Sequence, residues 1–398
     1  MRVILKILGL AVVIGALLAG LGCPSSKTEP EGDAKRAVLK AVGEGVILPT
    51  LEGFLAEARA LEQAANAYAA ARAAGPASAE LTAARDAFRT AFLRWQVAEV
   101  LQVGPAGTAG TMTGGLSLRD TIYSWSVVNT CRVDTHLVDK AWEAPGFFDT
   151  ALVTSTGLDV VEYLLFVDAA ANTCDAAAPI NSNGTWAALS PDELARRRAE
   201  YAKAAAAHVA ATAARLVSQW KEGGFLTAFT TAGLPGSPFP TAQEALDQLF
   251  AALFYVDAVV KDDKLANPAG LTITCLDMAC PQLAEAVPSG YSREALVENL
   301  KAAKALLRGG FTGSGKGFDA LLAARGAEPL ADQMVAALDE AIASVATLTV
   351  PVDQAVVSQL DDVKAVHAKV KAFTDLLKSQ FVTVLNLRVP QEGAGDND

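Results

Sequence analysis

Residues 190–220 read SPDELARRRAEYAKAAAAHVAATAARLVSQW, and this stretch decides the fold class. Ser190 is a favourable helix N-cap, Pro191 suits the first helical position, and Asp192 and Glu193 complement the positive end of a helix dipole. The residues that follow are alanine-rich and helix-prone. A helix running to about Trp220 is expected, with Arg196, Arg197 and Arg198 on a solvated face. Working outward, apolar residues recur at helical spacing over 35–72, with Pro49 as a break, and again over 78–103. Gly104 to Gly115 reads as a loop. A Gly/Pro-rich stretch, 233–240, separates the first half from a second. In the second half helices are expected over 242–261, 292–307, 317–324, 331–347 and 353–385. Strand signals are confined to 271–275 and 381–389. The sum is an all-α protein of two helical bundles.

The chain has 398 residues, 52% of them hydrophobic, and its formal charge of −11 rests on 44 acidic against 33 basic side chains. That balance disfavours nucleic-acid partners, which demand clustered Lys and Arg. His136, His208 and His367 lie far apart, so no local histidine pair can hold a catalytic zinc. Gly310 to Gly317 imitates a phosphate loop, but Gly317 stands where Ser or Thr would ligate magnesium, and a helix rather than a strand leads in. It reads as an interhelix loop.

Arg2 and Lys6 flank an apolar run, Ile7 to Gly22, which is short for a bilayer span and ends at Leu21-Gly22-Cys23. The expected organisation is a lipoprotein signal peptide over 1–22, lipidation at Cys23, a flexible tether over 23–36, a first bundle over 37–232 carrying the site, and a second over 241–398. This implies a periplasm-facing lipoprotein of the cell envelope, at the outer membrane and held to it through Cys23. An exported chain is exposed to oxidising conditions, so the other cysteines are expected to form disulfides. Four cysteines allow three connectivities, and proximity favours Cys131 with Cys174 and Cys275 with Cys280.

The chemistry concentrates in Gly157 to Phe166, GLDVVEYLLF. Asp159 and Glu162 share a helix face while nearly every other position is apolar. Two buried carboxylates require a cation or hydrogen-bond donors opposite. A metal ion would meet that need, as would an arginine such as Arg94, Arg119 or Arg132. Glu99 follows Trp95 by one helical turn and ends a helix before Gly104-Pro105. In the block 119–134, Trp125 and Asn129 sit in a loop-like context suited to lining a pocket.

Together these residues resemble the imelysin-like family of bacterial envelope proteins. The Trp95/Glu99/Gly104-Pro105 helix end, the Arg119…Ile122-Tyr123-Ser124-Trp125 block and the Gly157…Glu162 helix occur in the family's order. They are followed by Val260-Lys261-Asp262-Asp263-Lys264-Leu265, Tyr291-Ser292 with Asn299-Leu300, Gly317 to Leu322 and Gly395 to Asp398. The resemblance implies two related helical bundles on an exported, often lipid-anchored protein, with links to iron uptake and a peptidase label. It also implies a metal-binding GxHxxE helix, in which Asp159 here replaces the histidine. An Asp/Glu pair offers hard oxygen ligands suited to calcium, magnesium, manganese or ferric iron. Glu99 is expected to join Asp159 and Glu162, with Arg119 or Arg132 as the competing counter-charge.

Three functions follow as expectations. The favoured one is a non-catalytic, lipid-anchored binding protein holding iron or another hard cation in an acidic interhelical pocket. The others are a metallopeptidase and a scaffold that binds an envelope protein partner and keeps a vestigial metal site.

Overall fold

The computed structural model describes residues 30–390 apart from 168, 169, 171 and 314. The expected signal peptide and lipidation site at Cys23, and the C-terminal Gly395 to Asp398, lie outside the described residues. Among those described there is no strand. The first half contains α1 (Pro30–Val42), α2 (Leu48–Ala74), α3 (Ser78–Glu99), α4 (Leu118–Ile122), α5 (Thr130–Asp139), α6 (Phe147–Thr150), α7 (Gly157–Phe166), α8 (Pro179–Ser182), α9 (Pro191–Trp220) and α10 (Phe225–Thr230). The second contains α11 (Ala242–Tyr255), α12 (Ser292–Arg308), α13 (Phe318–Ala324), α14 (Glu328–Val345), α15 (Val352–Ser358), α16 (Leu360–Leu376) and α17 (Val382–Leu385). Wider π-type turns occupy Gly43–Ile47, Val256–Ala266 and Leu377–Phe381.

In the first half α2 packs along α3 and α9, and α7 fills the space against α9 and α3. In the second, α12, α14, α16 and the π segment 256–266 form an analogous group. The two groups meet where α3 lies on α12. The α9 cap forms as its sequence dictates, with Ser190 Oγ accepting from the Glu193 amide at 3.1 Å. Its three arginines do not share one solvated face. Arg198 is buried and lies 3.5 Å from Asp134, and Arg197 donates to the carbonyls of Leu137 and Val138. Only their placement under α5 could reveal this.

Other expectations change in detail. Residues 30–36, expected to belong to the tether, are helical, because α1 already begins at Pro30. Neither strand signal is realised. Phe381 packs its ring against Phe250 and Phe318, which holds the 381–385 run helical in the second bundle. Residues 271–275 form part of a loop. No helix among the described residues is long and apolar enough to cross a membrane.

Both disulfides form as proximity suggests, Cys131 with Cys174 and Cys275 with Cys280. The first spans 43 residues and encloses α7. Within that loop the Asp134 carboxylate accepts from the Tyr163 hydroxyl at 2.8 Å and from the Thr173 amide at 2.8 Å. Closing a loop of this length removes denatured-state entropy worth about 4 kcal/mol. The Cys131→Ser/Cys174→Ser variant is accordingly expected to lose about 3 kcal/mol in urea unfolding. An unchanged midpoint would show that the crosslink does not constrain the site region.

Candidate functional site

The site is built on the first turn of α7. Gly157 has φ +88°, and a Cβ there would stand 2.8 Å from the carbonyl oxygen of Ile122. Glycine is therefore required for α7 to start in contact with the end of α4, beside Ser124. Ser124 Oγ lies 2.5 Å from Asp159 Oδ2 and 3.1 Å from the Val153 carbonyl oxygen. One hydroxyl proton cannot serve both acceptors, so the arrangement is completed when Asp159 itself carries a proton and donates to Ser124. One turn on, Glu162 Oε1 accepts from the Ser289 amide at 3.0 Å, and that amide belongs to the second half of the chain.

Asp159 and Glu162 are buried, and neither forms an ion pair among the described residues. Burial pushes each carboxyl up to about 7, against partial relief from the Ser124 and Ser289 hydrogen bonds. Both line a cavity of about 350 Å³. Trp125 and Tyr163 contribute from the first half, and Asp263, Asn267 and Gln282 from the second. The pocket thus lies between the two halves rather than among helices of the first bundle alone. Burial also raises the Asp263 pKa, while Asn267 Nδ2 donates to its Oδ1 at 3.0 Å.

Beneath this cavity lies a second polar cluster that is charge-balanced. Lys264 Nζ donates to Gln96 Oε1 at 2.7 Å and Asn299 Oδ1 at 2.9 Å and forms an ion pair with Glu285 Oε2 at 2.9 Å. Glu285 Oε1 in turn accepts from Tyr123 at 3.0 Å and Gln96 Nε2 at 3.1 Å. Glu99 belongs here, paired with Arg119 at 3.0 Å and with its Oε2 3.8 Å from Lys264. It does not line the cavity with Asp159 and Glu162.

The remaining expected site residues scatter. Trp125 faces the cavity and has Lys264 Nζ 5.8 Å from its ring centroid. Trp95 packs on Phe54 in the core, 4.9 Å between centroids. Asn129 caps α5 by accepting from the Arg132 amide at 2.9 Å. The Arg132 and Arg94 residues are exposed. The expected counter-charges therefore go elsewhere, since Arg119 is held by Glu99 and Asp120. His136 contacts Tyr201 and His208 stacks on Phe148, away from the cavity. Among the described residues no three His, Cys, Asp or Glu side chains are grouped to hold a metal ion. Sequence reasoning gave no role to Lys264, Asp263 or Asn299, although all three sit in the family-like motifs. Glu285 was missed entirely; its only signal is a lone acid in an apolar Ala/Pro loop.

Two helical bundles meeting over an acidic, histidine-free cavity define the class of protein. The imelysin family model, which carries a peptidase label, matches residues 47–380, and the chain belongs to that family. Among curated proteins none matches the chain significantly. Two solved structures share the fold. An imelysin-like protein from Psychrobacter arcticum is 17% identical, with a TM-score of 0.67 over 90% of this chain and 98% of its own. A putative iron-regulated protein A precursor from Parabacteroides distasonis is 18% identical, with a TM-score of 0.65 over 89% of this chain and 97% of its own.

Proposed function

We propose that this protein is an exported, lipid-anchored imelysin-family binding protein whose cavity between the bundles takes up a hard cation in the service of iron handling. The observation that carries the reading is the pairing of Asp159 and Glu162. Both are buried, both line the cavity, and among the described residues no cationic side chain neutralises either. An ionised, unpaired carboxylate in such a place is costly, and a bound cation relieves that cost. The donors fit such an ion. Asp159 and Glu162 offer oxygen alone, which suits calcium, manganese or ferric iron over zinc, and Asp263 lines the same cavity without being grouped with them. A cavity of about 350 Å³ leaves room for the ion to keep water or other ligands of its own. The iron link is supported by the family and by the name of the Parabacteroides neighbour. Export and anchoring are supported by the apolar run ending at Cys23.

Calorimetric titration of chelator-treated protein with Fe³⁺, Ca²⁺, Mn²⁺ and Zn²⁺ tests the reading. Asp159→Asn/Glu162→Gln is expected to weaken binding of the preferred ion by about 100-fold, since both charged donors are lost. Wild-type binding no tighter than that of the double variant removes the cation function, and chelator-sensitive peptide cleavage would replace it with a catalytic one.

A further inference from the structure

At the rim of the cavity the chain exposes an unusual surface. Ile273 is 93% exposed, Leu276 91% and Met278 83%, all within six residues. Isolated surface apolar residues are ordinary, but a cluster of large ones presented together marks a contact surface. This cluster is held in shape. Cys275 and Cys280 join beneath it, and the Cys280 amide bonds the Pro268 carbonyl at 2.8 Å. Thr274 of the same loop lines the cavity.

Beside the loop, Met278 and Ala279 face residues 356–362 across a groove of about 690 Å³, whose far wall adds Val357, 72% exposed, and the acids Asp361 and Asp362. The surface has one sign of charge. Residues 265–292 and 347–363 contain no Lys, Arg or His, whereas Asp277, Asp361 and Asp362 are all exposed. Such a patch repels anionic lipid headgroups and complements a partner bearing Lys or Arg beside apolar residues. Its position also favours a protein partner. The start of α1 packs near Leu246, and the helix from there to Ala266 places the loop roughly 30 Å away. A surface attached through residues before Pro30 would lie at the other end.

We propose that the disulfide-held loop 271–280 and the groove against residues 356–362 receive a cationic amphipathic segment of a partner protein. The apolar tips bury against its apolar face, and Asp277, Asp361 and Asp362 pair with its basic residues. The crosslink lowers the entropy lost on docking, because the loop is ordered beforehand.

Fluorescence anisotropy on the full mature chain tests this, using a labelled amphipathic leucine/lysine peptide and its leucine/glutamate counterpart. The lysine peptide is expected to bind and the glutamate peptide not. Ile273→Ser/Leu276→Ser/Met278→Ser is expected to weaken binding about tenfold, and Asp361→Asn/Asp362→Asn to weaken it and flatten its salt dependence. These sites are exposed, and circular dichroism confirms that each variant is folded. Asp159→Asn/Glu162→Gln is expected to bind the peptide normally, which separates this surface from the cation cavity. Absent or equal binding of the two peptides overturns the proposal, as does unchanged affinity in the triple serine variant. It is also overturned if that variant instead loses binding to phosphatidylcholine vesicles, or loses self-association in sedimentation, since the occupant would then be a lipid surface or a second copy.

Discussion

Cation-free Asp159→Asn/Glu162→Gln protein is expected to be more stable than the wild type at pH 8 and nearly equal to it at pH 4. The ordinary values of the two carboxyls are 3.8 and 4.5, and burial raises both to about 7. Between pH 4 and pH 7 the folded state therefore holds protons that the unfolded chain has released. Stability falls as pH rises through this window and levels off above it. The contribution is of the order of 3 kcal/mol for each carboxyl. Burial likewise raises Asp134, Asp263, Glu285 and Asp353, which reinforces the direction. Asparagine at 159 imitates the protonated acid, because its amide donates to Ser124 Oγ while Ser124 donates to Val153. Urea midpoints at pH 5 and pH 8 check the result. A wild-type protein as stable at pH 8 as at pH 5 would mean that the pair is solvated or already compensated. Adding the preferred cation should restore wild-type stability at pH 8, because a ligand that binds only the folded state stabilises it by mass action.

The second large effect is expected from Lys264→Met. Its ammonium is shared by Gln96, Asn299 and Glu285, and all four side chains are buried. Removing the charge leaves Glu285 ionised without its cation and strands the Asn299 amide oxygen, while Gln96 Oε1 keeps its bond from Asn299 Nδ2, at a cost of about 3–5 kcal/mol in urea unfolding. Gln96 and Tyr123 come from the first half and Lys264, Glu285 and Asn299 from the second, so the loss also weakens the joint between the bundles. Adding Glu285→Gln should recover part of the stability, because it discharges the orphaned acid and keeps an acceptor for Tyr123. If the double variant is no better than Lys264→Met, packing of the lysine stem rather than its charge is what matters there.

The periodicity of α2, α3 and α9, the Ser190 cap and the Gly157 helix start are all readable in sequence because they depend on neighbours within a turn or two. The Asp159/Glu162 pair was legible for the same reason. Two of its expected companions were not. Glu99 is taken by Arg119, and Arg132 stays in solvent, because the packing of α4 and α5 on α7 and α9 is a long-range outcome that no local pattern encodes. The strand-like run at 381–389 misled because β-branched and aromatic residues suit a strand or a packed helix equally, and the Phe250 and Phe318 contacts decide.

Sequence alone determined that this protein is helical, crosslinked between neighbouring cysteines and endowed with one acidic helix face of family type. Tertiary structure alone decided which charges are spent and which are left. Asn299 meets Gln96 across 203 residues of chain, and Ser289 meets Glu162 across 127. Helix formation is governed by local periodicity, whereas neutralising a buried charge depends on what long-range packing brings within about 3 Å of it. Here packing supplied cations to Glu99 and Glu285 and, among the described residues, gave Asp159 and Glu162 hydrogen-bond donors and a cavity instead.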